Sequence, residues 1–199
     1  NNIPKIMGIL NGTPDSFFPN SRLENILDTE YNFKNADILD VGFESSRPGA
    51  LPLDEENEIK RLNDFLHQFP QIHHTLSIDT YKPKVASIAL ENGFDLINDI
   101  SGGGEDGKMF EVASEYNCPI VIMHMKGTPL RMQNNPIYDS IIDELLNYFE
   151  NKIILAKQFG LLEDQIIIDP GIGFGKRVID NDIIISNIAR LKILGFPLM

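Results

Sequence analysis

The chain has little cysteine, little positive charge and no long apolar run. Its single cysteine, Cys118, excludes an internal disulfide framework. Cys118 opens an apolar run, so it reads as a buried packing thiol, which suits a reducing, cytoplasmic compartment. With 17 Lys and Arg against 29 Asp and Glu, the formal net charge is −12. That balance speaks against nucleic acid, which needs a basic footprint. It also means that an anionic substrate must be met by a few local donors. No apolar stretch approaches the ~20 residues of a membrane span. The opening Asn1-Asn2-Ile3-Pro4-Lys5 lacks the basic and then apolar regions of a signal peptide. It also lacks an initiator Met, from which we expect a longer translation product. Neither a Cys/His metal spacing nor a Ser/His/Asp order is present.

What the chain does contain is a repeated alternation. Short apolar runs stop at a polar, usually acidic, residue, and a helix-like stretch follows. The runs are Lys5–Asn11, Asp37–Asp40, Thr75–Asp79, Leu96–Asp99, Pro119–His124 and Gln165–Asp169. Such β-branched runs, alternating with helices, indicate buried parallel strands. Helices are expected over Leu23–Asn35, Asp54–Phe69, Lys82–Asn92, Glu105–Tyr116, Ile137–Gly160 and Asp182–Leu194, and a seventh strand begins at Phe196. Loops after the strands are long and rich in Gly and Pro, whereas loops at the strand starts are short. One face therefore carries the chemistry, as in a β/α barrel. The predicted fold is α/β, a (β/α)8 TIM barrel with about six and a half β/α units, in a single domain over residues 1–199. An open doubly wound sheet is the alternative, for which Asn11-Gly12-Thr13-Pro14 is a poor phosphate loop.

The strand ends supply the candidate site. Asp79, Asn98 and Asp169 each close an apolar run, so they meet at the mouth. Any one alone is as readily a helix cap or a turn residue. Together, carboxylates and an amide suit a ligand edge with adjacent N–H donors, such as a guanidine-like ring edge. The segment Asp169–Lys176 is the most specific local pattern. Its alternate glycines allow the backbone to approach a flat ligand, and Phe174 is placed to form a wall. Lys176 reads as the solvated lysine of a glycine-rich loop. After the second strand, Glu44–Ala50 offers Arg47 to an anion. Asn11, with Thr13, Asp15 and Ser16, offers oxygen ligands suited to Mg²⁺. Ser101–Gly104 reads as permissive backbone beside a site. His124, between Met123 and Met125, reads as a hydrogen-bonded histidine at the mouth, and His73 and His74 fall on the far face.

Six stretches in order resemble the dihydropteroate synthase family: Met7–Phe17, Asp37–Ala50, Ser77–Thr80, Ile97–Gly103, Met123–Pro129 and Asp169–Lys176. They span nearly the whole chain. The resemblance implies a (β/α)8 barrel that condenses 6-hydroxymethyl-7,8-dihydropterin diphosphate with p-aminobenzoate, releasing pyrophosphate, in folate biosynthesis. It also implies Mg²⁺ as cofactor, a homodimer and a sulfonamide target. By motif position, Asp79, Asn98 and Asp169 are the pterin-edge partners, and Ile100, Val121, Met123, Gly173 and Phe174 are pocket walls. Asn11 is the diphosphate and Mg²⁺ contact, and Phe17, Ser46, Arg47 and Pro48 form the aminobenzoate site. The chain departs from the family at Gly12, Phe43 and Ser46, where Val, Gly and Thr are usual. Phe18-Pro19-Asn20 interrupts the first loop, so Pro19 stands where an aspartate would partner Arg47. The family's strand-seven lysine motif and late Arg-x-His anion site fall beyond Met199. Two other readings use the same barrel: a module that binds methyl-tetrahydrofolate for methyl transfer to a corrinoid protein, and a non-catalytic paralogue. Glu44–Gly49 and Met123–Gly127 favour the synthase.

Overall fold

The computed structural model describes residues 3–12, 33–45, 49–69 and 73–199. Six strands form one parallel sheet: β1 (Met7–Asn11), β2 (Ile38–Gly42), β3 (Thr75–Asp79), β4 (Leu96–Asp99), β5 (Ile120–Met123) and β6 (Ile166–Asp169). Neighbours in the sheet are neighbours in sequence throughout. Beyond β6, Leu198 makes a parallel bridge to Ile168. Ile168 N donates to Pro197 O at 3.0 Å, and Met199 N donates to Ile168 O at 2.9 Å. The seventh strand thus begins where the sequential order requires it. A doubly wound sheet reverses its strand order at a switch point, and this sheet does not. The architecture is that of the (β/α)8 barrel.

Among the described residues, the helices are α1 (Glu55–Gln68), α2 (Pro83–Glu91), α3 (Lys108–Glu115), α4 (Ile141–Gln158), α5 (Val178–Ser186) and α6 (Ile188–Leu191). Local chemistry sets their starts. Asp54 Oδ1 accepts the Asn57 N–H at 2.9 Å, and Glu55, Glu56 and Glu58 fill the first turn of α1, where the helix dipole favours negative charge. Pro83 opens α2 at a position where a missing N–H costs nothing.

Strand periodicity divides the sheet into two faces. Leu39 and Val41 of β2, Ile78 of β3, Ile97 of β4, Ile120 and Ile122 of β5, and Ile166 and Ile168 of β6 join the core with the helices. There they meet Leu62, Phe65, Phe110, Leu145 and Phe149, all essentially inaccessible. Each such side chain contributes about 1.5–3 kcal/mol by leaving water. The alternate residues, among them Asp40, Asp79 and Asn98, are left for the barrel interior.

Some boundaries differ from expectation. The helix expected over Leu23–Asn35 lies outside the described residues except at 33–35, which form a turn. The third helix starts at Lys108 rather than Glu105, because Gly107 is left-handed (φ 70°) and ends the preceding loop. The longest helix starts at Ile141 rather than Ile137. Lys126 Nζ takes the Ile137 carbonyl, and Ser140 Oγ donates to Asp143 Oδ2 at 2.6 Å. The last helix starts early, at Val178, because Asp180 accepts the Arg177 N–H and its guanidinium at 2.8–2.9 Å. It then breaks at Asn187, whose φ/ψ of −118°/17° leaves the helical region.

Candidate active site at the strand mouths

The β3 and β4 ends stand side by side, with Asp79 opposite Asn98 in register. Asn11 pairs with Gly42, Gly42 with Asp79, and Met123 with Asp169. A parallel sheet thereby lifts these side chains to one height on its inner face. Gly42 is small for a reason: a Cβ there would lie 3.1 Å from Asp79 Oδ2. The residues enclose a cavity of about 290 Å³ lined by Asn11, Asp40, Asp79, Asn98, Asp169 and Phe174, with Ile100 and Met123 as apolar wall. That is near the lower end of the roughly 300–1,000 Å³ typical of small-molecule sites.

The charge of this cavity is one-sided. Three carboxylates line it, and no lysine or arginine among the described residues does. Burial pushes the Asp79 carboxyl well above the usual range, and the neighbouring Asp40, Glu58 and Asp99 charges push it further. Asp79 nevertheless keeps partial exposure, through the cavity it lines. Burial raises Asp40 to about 6, against opposing hydrogen bonding. Asp169 is also raised by burial, partly offset by the Gly171 N–H and by Lys176. Its Oδ1 accepts that N–H at 2.8 Å. Gly171 is left-handed (φ 65°), and any side chain there would collide with the His124 carbonyl. Acids held this way attract a ligand that brings its own N–H donors, and they repel an anion.

A second buried cluster lies against the first. Lys82 Nζ bonds both Glu44 and Glu58. Thr80 Oγ1 donates to Glu58 Oε1 at 2.8 Å, and Tyr81 OH donates to Glu44 Oε1 at 2.7 Å. Burial works against the Lys82 charge, but its two carboxylate partners outweigh this and raise its pKa. The cluster ties the end of β2 and the start of α1 to the loop after β3.

Several expectations need correcting. Lys176 is not solvated: it is 3% exposed. Its Nζ reaches Phe174 O at 2.9 Å and both His124 O and His124 Nδ1 at 3.0 Å. Burial lowers its pKa to about 8. Burial, with Lys176 and Lys126 nearby, lowers His124 to about 3, so its ring is neutral and Nδ1 is the acceptor. His124 is thus a hydrogen-bonded histidine, as its position suggested. Val121, level with Asn98 in the register, is fully buried and does not line the cavity. Gly173 is exposed and away from the wall, held outward by Gln133 Nε2 on its carbonyl at 2.8 Å and Asn181 Oδ1 on its N–H at 3.0 Å. Ser101–Gly104 wraps Asp99 on the outer side: Ser101 N, Ser101 Oγ and Gly103 N donate to its carboxylate at 2.7–2.8 Å.

Of the residues expected at the site, the structure brings Asn11, Asp79, Asn98, Ile100, Met123, Asp169 and Phe174 together. Phe17, Ser46, Arg47 and Pro48 lie outside the described residues. Asp40, the polar end of the second run, and Ser45 also line the cavity, though neither is singled out by the sequence as a ligand contact. The signal for Asp40 was an acid inside an otherwise apolar strand, two residues before Gly42 and on the same face.

Residues 7–199 match the model of the family described as pterin binding enzyme. The chain is 38% identical over 200 residues to a dihydropteroate synthase of Synechocystis sp., covering 98% of this chain and 69% of that protein. The solved dihydropteroate synthase of Yersinia pestis in a sulfonamide drug complex superposes with a TM-score of 0.90 at 33% identity, over 98% of this chain and 73% of that one. The Xanthomonas albilineans dihydropteroate synthase with 4-aminobenzoic acid gives a TM-score of 0.86 at 33% identity, over 98% and 71% of the two chains.

Proposed function

The chain belongs to the pterin binding enzyme family, and from that premise we propose that it works as a dihydropteroate synthase, a transferase that joins 6-hydroxymethyl-7,8-dihydropterin diphosphate to p-aminobenzoate. The observation that carries this reading is the acid-lined cavity, to which no lysine or arginine among the described residues contributes. A pterin presents its 2-amino group and ring N–H as adjacent donors. Asp79, Asn98 and Asp169 offer the matching acceptors. Phe174, Ile100 and Met123 supply apolar contact for the flat ring.

The chemistry follows from the charge. As the C–O bond to diphosphate breaks, positive charge builds on the exocyclic carbon and spreads into the ring. Carboxylates already buried beside the ring stabilise that charge without rearranging. The aromatic amine of aminobenzoate then forms the new C–N bond and loses a proton, and pyrophosphate leaves. The apolar wall keeps water from the cation. In this reading Phe17, Ser46, Arg47 and Pro48 hold the aminobenzoate.

Mg²⁺ belongs to the same proposal. No group of three His, Cys, Asp or Glu among the described residues could hold a metal. Mg²⁺ is commonly held by one or two protein oxygens with phosphate and water completing its shell. Asn11, at the end of β1 on the cavity wall, fits as such a single contact for an ion carried by the diphosphate. A cytoplasmic location, which suits the buried thiol Cys118, and a homodimer complete the reading.

Calorimetry tests it. The protein should bind 6-hydroxymethyl-7,8-dihydropterin, and Asp169→Asn should abolish binding while thermal unfolding stays cooperative. Unchanged affinity in the variant would remove Asp169 from the pocket, and a wild type that ignores the pterin would overturn the function.

A further inference from the structure

Asp40 has no part in the reading above, yet it lines the same cavity and is 5% exposed. Asn98 Nδ2 donates to its Oδ2 at 2.8 Å. Its Oδ1 is buried without a hydrogen-bond partner, and so is the hydroxyl of Ser77, which stands opposite Asp40 in the β2–β3 register. Asn98 thus makes the one hydrogen bond of full geometry to Asp40 among the described residues, while the Ser77 hydroxyl faces its carboxylate closely enough to help lower its pKa.

The consequence lies in the chemistry of the pair. A carboxylate accepts hydrogen bonds and cannot donate them. An asparagine amide has one donor end and one acceptor end, and whatever holds one end decides how the other is turned. By engaging Nδ2, Asp40 leaves Asn98 Oδ1 as the end not spent on the interior. We propose that Asp40 is a positioning residue that locks the Asn98 amide with its oxygen toward the ligand, making the wall of Asp79, Asn98 and Asp169 a row of acceptors. Such a wall selects a heterocycle edge made of N–H donors and rejects one that presents a carbonyl. This selection rests on the pterin reading and adds a source of its specificity.

The test compares 6-hydroxymethylpterin with 6-hydroxymethyllumazine, in which a 2-oxo group replaces the 2-amino group. Calorimetry is run near pH 8, where Asp40 is ionised given its pKa of about 6. Wild type should prefer the pterin. In Asp40→Asn the new amide can accept or donate, so Asn98 is free to turn over. Pterin affinity should fall about tenfold, and the lumazine-to-pterin Kd ratio should fall by about tenfold or more. The exchanged pair Asp40→Asn with Asn98→Asp puts an amide under a carboxylate and restores an acceptor at the wall, so the ratio should recover. A merely structural role would lower both affinities together and leave the ratio alone. An unchanged ratio in the single variant, or no recovery in a double variant that still melts cooperatively, overturns the proposal. Wild type that binds neither heterocycle sinks the pterin reading itself, a result distinct from either of those.

Discussion

Two buried acidic clusters share a border in this molecule, and they are solved in opposite ways. In one, Glu44 and Glu58 have Lys82 between them, with Tyr81 and Thr80 as further donors. In the other, Asp40, Asp79 and Asp169 line a cavity to which no lysine or arginine among the described residues contributes, and Asp40 Oδ1 lacks a hydrogen bond of full geometry there. Burying charge is costly unless it is paired. The first cluster meets that cost from within the chain and holds the fold together. The second is left open, and the missing donors are what a ligand supplies.

The contrast can be broken most strongly at Lys82. Lys82→Met leaves Glu58, which is 0% exposed, facing Glu44 without a counter-charge. We expect a loss of about 3–5 kcal/mol in urea unfolding, while the folded fraction keeps its pterin affinity. A loss under about 1 kcal/mol would mean the cation is dispensable and the contrast false.

A smaller effect sharpens it from the other side. Burial raises Asp40 from the ordinary 3.8 to about 6 in the folded chain. The folded state then holds this proton more tightly than the unfolded state does. Below the ordinary value both states carry it, so Asp40 costs nothing there. As pH climbs from about 4 to about 6, the unfolded chain alone loses the proton, and stability falls. Asp40→Asn removes that slope. Its stability relative to wild type should rise by on the order of 2 kcal/mol between about pH 4 and pH 7. Parallel pH curves for the two proteins would show that the open cluster carries no such penalty.

The smallest effect belongs to a pair outside both clusters. Lys84 and Glu55 meet at 3.7 Å with side chains 65% and 43% exposed. Lys84→Met should leave the unfolding midpoint where it was, since water already solvates both charges. A clear shift would blur the line between buried and exposed acid on which the contrast rests.

Much of this arrangement was legible in the sequence. The strands were readable because burial on both faces writes continuous β-branched runs, and the helices because their apolar stripes repeat. Asp79, Asn98 and Asp169 were readable because each is the last residue of its run or the one before it. Asp40 closes the second run in the same way, but it is not the strand's end. Hydrogen bonding carries that strand on through Val41 to Gly42, so Asp40 sits within it and points inward. Lys176 was misread because a glycine-rich loop ordinarily leaves a lysine in water. Its burial is decided by His124, on another strand end, and no local signal announces that contact. Gly107, Ser140 and Asn187 shifted helix boundaries through backbone geometry and side-chain bonds that periodicity does not register.

The strictly sequential sheet has one more consequence. Asp40, Asp79, Asn98 and Asp169 sit on β2, β3, β4 and β6, so only a fragment that runs from β2 through β6 holds the whole set. A small molecule gripped by all of them at once recognises only finished architecture. Its presence draws late folding intermediates toward completion by mass action, which makes occupancy a gauge of how much of the population has fully assembled.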